Sequence, residues 1–121
     1  MMPDNFSGII LYDIEMDDCL NGVYTNIPDG GVILNECCRK KTDSPKIESD
    51  RIIGHYASHW FDMDSNPVNG TLEITNHSYK EEKQLKVYSF LWKEGSNIVF
   101  RGVGYKMNHN QIAVTYWCSK I

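Results

Sequence analysis

The side chains with most chemistry to offer are four histidines, four cysteines and a few acidic clusters. His55 and His59 stand four apart. On a helix that spacing would put both rings on one face. The run around them, Arg51 to Phe61, is rich in aromatic and β-favouring residues and reads as a strand. Four residues of strand span about 13 Å, with both side chains on the same side. Zinc–nitrogen bonds of about 2.1 Å cannot bridge that gap. A metal would need partners from other strands, and Asp62, Asp64, His77 and His109 are the available types. The plainer expectation is polar histidines on a solvent-facing side, with no metal and no cofactor assigned.

Cys19, Cys37, Cys38 and Cys118 match no usual zinc spacing. Adjacent cysteines such as Cys37 and Cys38 do not easily form an unstrained disulfide with each other. Arg39, Lys40 and Lys41 could lower a nearby thiol pKa. Free, buried or partly buried structural thiols are the expectation. Asp13, Glu15, Asp17 and Asp18 make an acidic patch. Paired carboxylates do acid–base work when burial splits their pKa values, and an acidic loop is more often simply solvated. No Cys-His or Ser-His-Asp pattern has diagnostic spacing, and Gly102-Val103-Gly104 lacks the third glycine of a dinucleotide site. A non-catalytic role is therefore expected.

The aromatic residues are the other candidates. Tyr24, Tyr56, Tyr88, Trp92, Tyr105 and Tyr116, with Ser58 and Trp60, could line a site for a small, partly apolar ligand. The same rings could fill a small barrel with no ligand at all. Strand alternation puts Gly54, Tyr56, Ser58 and Trp60 on one face and His55, Ala57, His59 and Phe61 on the other.

Short apolar runs separated by turn-forming clusters must position these side chains. Gly8–Glu15 and Cys19–Asn26 read as a hairpin joined through Met16-Asp17-Asp18 and closed by Ile27-Pro28-Asp29-Gly30-Gly31. Val32–Lys41 is ambiguous. Ile33, Leu34, Cys37 and Cys38 have helical spacing, yet the segment also reads as a short strand, which is the preferred reading. Arg51–Phe61 is a strand, Asp62–Gly70 a loop, and Thr71–Thr75 a strand with Leu72 and Ile74 inward. Asn76–Gln84 is polar. Leu85–Trp92 and Asn97–Met107 are strands joined by a Lys93-Glu94-Gly95-Ser96 loop, and Gln111–Trp117 is the last strand. Leu20-Asn21-Gly22-Val23-Tyr24-Thr25 echoes Ile52-Ile53-Gly54-His55-Tyr56-Ala57, as two related four-stranded halves would.

Regular short strands with glycine-rich turns predict an all-β fold: a small antiparallel up-and-down β-barrel of seven or eight strands. A short helix near 32–41 is the alternative there. The 121 residues make one domain, 1–121. The formal charge is −4, which disfavours nucleic acid. No apolar run is long enough for a membrane-spanning helix, and a membrane partner is not expected. The N-terminus has no basic start and no apolar core, so a cytoplasmic location is expected.

The stretches Leu85-Lys86-Val87-Tyr88-Ser89-Phe90-Leu91-Trp92, Phe100-Arg101-Gly102-Val103-Gly104 and Asn110-Gln111-Ile112-Ala113-Val114-Thr115-Tyr116 resemble the end of small bacterial calycin-like barrels. These are similar in architecture to lipocalins and avidins. Gly54-His55-Tyr56 and Gly70-Thr71-Leu72-Glu73-Ile74 resemble their preceding strands, so the likeness covers residues 50–117. The lipocalin Gly-x-Trp stands here as Gly-x-Tyr, and the biotin-contacting residues of avidins have no counterpart. The resemblance implies a barrel and carries no activity. The leading expectation is a binding module holding a small, partly apolar ligand in the barrel mouth. The alternatives are an interaction module with a packed barrel that acts through its outer surface, alone or as a homo-oligomer, and a small enzyme or metal site using His55 or His59.

Overall fold

The computed structural model describes residues 7–16, 18–26, 33–44, 50–61, 65–77 and 87–118. Asp17, Asp62, Asp64, the turn residues 27–31 and the polar stretch 78–84 lie outside them. Eight strands follow in chain order: β1 (Ser7–Glu15), β2 (Cys19–Asn26), β3 (Leu34–Lys40), β4 (Gly54–Phe61), β5 (Pro67–Asn76), β6 (Val87–Glu94), β7 (Asn97–Asn108) and β8 (Gln111–Cys118). Each pairs antiparallel with the next, and β8 closes on β1. The result is an all-β closed up-and-down barrel, with no helix among the described residues. Closure removes both sheet edges.

Alternation decides which residues fill the barrel. Ile10 and Tyr12, Leu20 and Tyr24, Glu36 and Cys38, Tyr56, Ser58 and Trp60, Leu72 and Ile74, Tyr88, Phe90 and Trp92, and Ile112, Val114 and Tyr116 point inward and are buried. An eight-stranded barrel is just wide enough for side chains to fill it. Rings run through it in contact: Tyr12 stacks on Phe90 at 6.1 Å, and Phe90 on Trp92 at 5.8 Å. Trp92 then meets Tyr116 and Phe100, and Phe100 meets Trp60. Room for the Tyr12 ring comes from Gly22 on the facing strand, where a Cβ would lie 2.8 Å from two ring carbons. Gly22→Val is expected to cost about 2 kcal/mol by overpacking, read as a lower urea midpoint at unchanged slope.

Several boundaries differ from the sequence reading. The 32–41 segment holds a strand, and Leu34, Glu36 and Cys38 alternate inward against β2 and β4. β4 begins at Gly54, not Arg51. Ile52 instead turns into the core at one end of the barrel, its carbonyl accepting from the Tyr56 hydroxyl at 2.7 Å. Asp50 accepts from the Ile52 amide and from the Tyr88 hydroxyl, which fastens the turn to β6. β5 begins at Pro67, inside the expected loop. Pro67 is the strand's first residue, a position that tolerates the missing N–H. The β6–β7 turn is tighter than four residues: Glu94 pairs with Asn97 around Gly95-Ser96, and Gly95 supplies φ +65°. The internal echo relates β2 to β4, two strands apart, so it does not divide the barrel into four-stranded halves.

Candidate functional site

Among the described residues, one charged side chain is buried in the interior. Glu36 occupies an inward slot on β3 between Leu34 and Cys38, and is 3% exposed. Its Oε1 accepts from the Tyr12 hydroxyl at 2.6 Å. Its Oε2 accepts from the Ser58 hydroxyl at 2.5 Å, the Trp92 indole N–H at 2.9 Å and the Cys38 thiol at 3.2 Å. Four donors therefore reach one carboxylate, three of them crowded onto Oε2 and one on Oε1. Among the described residues no cation forms an ion pair with it. The donors come from β1, β3, β4 and β6, so one carboxylate ties four strands together. Burial, and then the Glu36 charge, push the Tyr12 phenol and the Cys38 thiol well above their ordinary pKa values. Cys38 is therefore held as a thiol. The basic run has no activating effect on it: Arg39 points outward, and the Lys40 ammonium sits 5.5 Å from the Tyr56 ring centre.

The aromatic candidates divide. Tyr24, Tyr56, Ser58, Trp60, Tyr88, Trp92 and Tyr116 all face inward. The polar tips of Tyr24, Tyr56, Ser58, Tyr88 and Trp92 already have protein partners. Tyr24 donates to the Phe61 carbonyl at 2.8 Å and accepts from the Phe61 amide at 3.1 Å. Tyr56 and Tyr88 hold the turn at 50–53, while Ser58 and Trp92 hold Glu36. Tyr105 does not belong with them. It lies on the outward register of β7 and is 42% exposed.

The histidines are dispersed. His55 and His59 lie on the outward side of β4, and His59 meets the Asn69 side chain at 2.6 Å. His77 contacts Ser89 beyond the end of β5, and His109 is in the β7–β8 turn. Among the described residues no three His, Cys, Asp or Glu side chains gather as a metal site.

The outer wall has two different sides. Around β3, β4 and β5 it carries Asn35, Cys37, Arg39, His55, His59 and Glu73, the last paired with Lys93 at 2.9 Å. Around β2, β1, β8, β7 and β6 it is uncharged over two cross-strand rows. One row reads Val23, Leu11, Ala113, Tyr105, Val87. The next reads Thr25, Ile9, Thr115, Val103, Ser89. Ile9 is 62% exposed, Val23 44% and Leu11 37%, so solvent reaches large apolar side chains in one contiguous field. An open concavity of about 780 Å³ lies over these rows, with Ile33 and His77 also lining it. A contiguous apolar area of this kind marks an interaction surface more often than scattered single side chains do. A second recess, of about 240 Å³, lies at the barrel end closed by Ile52. Its rim mixes Glu15, Asp18, Asp50, Arg51, Lys106 and His109, with Arg51 bonded to Asp18 at 3.2 Å.

Sequence reasoning passed over Glu36, Tyr12 and the apolar outer field. The missed signal for Glu36 was its place between Leu34 and Cys38 in a period of two. For the outer field it was the run Ile9, Ile10, Leu11, where apolar residues occupy both faces of one strand. Fold and site together define a closed eight-stranded barrel locked by a buried carboxylate, with one apolar flank. No family model, no curated protein and no solved structure matches the chain.

Proposed function

We propose that this protein is a non-catalytic interaction module: a packed barrel that works through the outer surface of β2, β1, β8 and β7. The observation that carries this is the pair of uncharged outward rows across those strands, with Ile9, Leu11, Val23 and Tyr105 open to solvent. The interior supports the same reading, because the polar tips of Tyr24, Tyr56, Ser58, Tyr88 and Trp92 are engaged with Phe61, the 50–53 turn and Glu36. A ligand in the barrel mouth would have to break those bonds and separate stacked rings. The calycin-like resemblance belongs to this proposal at the level of architecture.

The test is uptake of an apolar fluorescent dye, anilinonaphthalene sulfonate, by protein diluted below any self-association. The wild type is expected to enhance dye emission severalfold. Leu11→Lys should abolish most of that enhancement by placing a charge in the middle of the field. Asn97→Lys, a charge-matched change in the exposed β6–β7 hairpin, should leave it intact. Equal dye responses from all three proteins would remove the outer field as the working surface.

A further inference from the structure

We infer that Cys37 is a modification site: a nucleophilic thiol, served by His59 and Asn69, that exchanges with small carboxylate-bearing disulfides and keeps one half of the reagent as a mixed disulfide. The site lies on the polar side of the wall, around β3, β4 and β5, and does not depend on the apolar flank.

The three residues are far apart in sequence, and the barrel register joins them. Cys37 on β3 is the direct partner of His59 on β4, and His59 is the direct partner of Asn69 on β5. All three face outward and are exposed. Directly opposed residues on antiparallel strands hold their Cβ atoms about 4.5–5.5 Å apart, which puts a thiol and an imidazole within reach of each other. The ring is already oriented, because His59 Nδ1 lies 2.6 Å from Asn69 Oδ1. An amide oxygen can only accept, so Nδ1 carries the ring proton and the lone pair stands on Nε2. A nucleophile, a base and a group that orients the base thus share one cross-strand row. That is the arrangement by which a cysteine is activated, whatever the fold that presents it.

The neighbours select the thiol and the reagent. Cys38, the next residue, faces inward with its sulfur against Glu36 and Ser58, so it is closed to solvent. Arg39, two residues along β3 from Cys37, is on the same outward face and exposed. Its cross-strand partners, Cys19 and Ala57, are both small and leave space beside the guanidinium. Among the described residues no carboxylate forms an ion pair with it. A guanidinium in that position suits a carboxylate on the incoming molecule. An outer barrel wall gives an open approach, and disulfide exchange needs only that the sulfur reach along an S–S bond from solvent.

The step balances. Cys37 Sγ attacks one sulfur of RS–SR while His59 Nε2 takes the thiol proton. The bond from Cys37 Sγ to SR forms, the S–S bond of the reagent breaks, and RS⁻ leaves and recovers the proton as RSH. Cys37 is oxidised to the disulfide level and half of the reagent is reduced to a thiol, so no other oxidant is required. Each chain takes one RS group and stops there.

The test is the rate of adduct formation, read by mass, when folded, pre-reduced protein meets dithiobis(nitrobenzoate), a dianionic disulfide, or cystamine, a cationic one. With the first reagent the wild type should show one fast thiol per chain, about tenfold faster than free cysteine at neutral pH. Peptide mapping should place the adduct on Cys37, and Cys37→Ser should remove the fast phase. His59→Ala should slow it about tenfold, and added imidazole should return much of the loss. Asn69→Ala should slow it severalfold, whereas Asn69→Asp, which keeps an acceptor for Nδ1, should hold the rate. Arg39→Gln should slow the anionic reagent and spare cystamine. All four positions face outward, and unchanged circular dichroism checks that each variant keeps the barrel. A fast phase that survives Cys37→Ser, or a wild type with no fast thiol, overturns the site. A Cys37 that reacts equally fast without His59 is only an exposed thiol, and that result overturns the inference too. Equal effects of Arg39→Gln on both reagents overturn the choice of a carboxylate-bearing disulfide.

Discussion

Glu36→Ala is expected to cost about 4 kcal/mol or more and to leave the chain largely unfolded at physiological temperature, since a domain of this kind has about 5–15 kcal/mol in total. The carboxylate accepts four hydrogen bonds from buried donors. Removing it orphans the Tyr12 and Ser58 hydroxyls, the Cys38 thiol and the Trp92 indole N–H at once. Each buried orphan carries a penalty of about 1–3 kcal/mol, and the total is less than additive because water enters the vacated space. Glu36→Gln should be milder, about 1–2 kcal/mol. Its amide oxygen can keep the three donors now at Oε2 while its N–H₂ turns to Tyr12, whose oxygen can accept. Tyr12→Phe should therefore cost more in the Glu36→Gln background than a lone acceptor loss would suggest. Urea denaturation with matched slopes reads all of these. An alanine variant within about 1 kcal/mol of wild type would mean that the carboxylate contributes little to holding the strands.

The second large effect is with pH. Burial raises the Tyr12, Tyr56 and Tyr88 phenols and the Cys38 thiol above their ordinary values. In the unfolded chain the thiol ionises near about 8.5 and the phenols near about 10. Above those values the unfolded chain binds fewer protons than the folded one, and stability falls as pH rises toward the folded pKa values. The contribution of these groups is therefore fully present below about pH 8 and is lost in alkali. Each group withheld from ionisation costs about 1.4 kcal/mol per pH unit above its unfolded pKa, so the chain is expected to lose stability progressively from about pH 9 upward. Lys40 works against this, because partial burial lowers its ammonium pKa, but it is one half-exposed group against four. Urea midpoints should fall steeply between about pH 9 and 11, with tyrosinate absorbance rising as the chain unfolds. A flat midpoint over that range would contradict the burial of these hydroxyls.

The barrel was legible because its strands alternate cleanly. Gly54, Tyr56, Ser58 and Trp60 were separable from His55, Ala57 and His59 by period alone, and the structure keeps that division. The last strands were equally plain in Leu85–Trp92 and Gln111–Trp117, where β6 spans Val87–Glu94 and residues 85–86 lie outside the described ones. Where polar residues sit in structural positions the reading faltered. Pro67, Asn69 and Gly70 have loop chemistry, yet they continue β5 because β4 pairs with them from Phe61 down. Glu36 was invisible as a core residue because a lone glutamate beside a basic run reads as surface. Its donors lie 24, 22 and 56 residues away along the chain, at Tyr12, Ser58 and Trp92. Only the closed register brings them to one point. The same polar group that obscured the segment also fixes it: a slip of β3 by one residue would carry Glu36 outward and strand its three donors on other strands, Tyr12, Ser58 and Trp92.

The outer flank was hidden for a different reason. Its members are ordinary strand residues, and their alignment into rows is a property of registers between β2, β1, β8 and β7. No single segment contains more than a fragment of it. Ile9 and Leu11 gave the one local hint, since a strand with a solvent-facing side has no need of large apolar residues there.

Native mass spectrometry of the freshly purified protein, beside its denatured mass, tests the central claim most directly. The account predicts the mass of the bare chain, with no added small molecule that denaturation releases. A monomer carrying a small molecule that is lost on denaturation would contradict it, and would return the function to the barrel mouth between Tyr24, Trp60 and Tyr116.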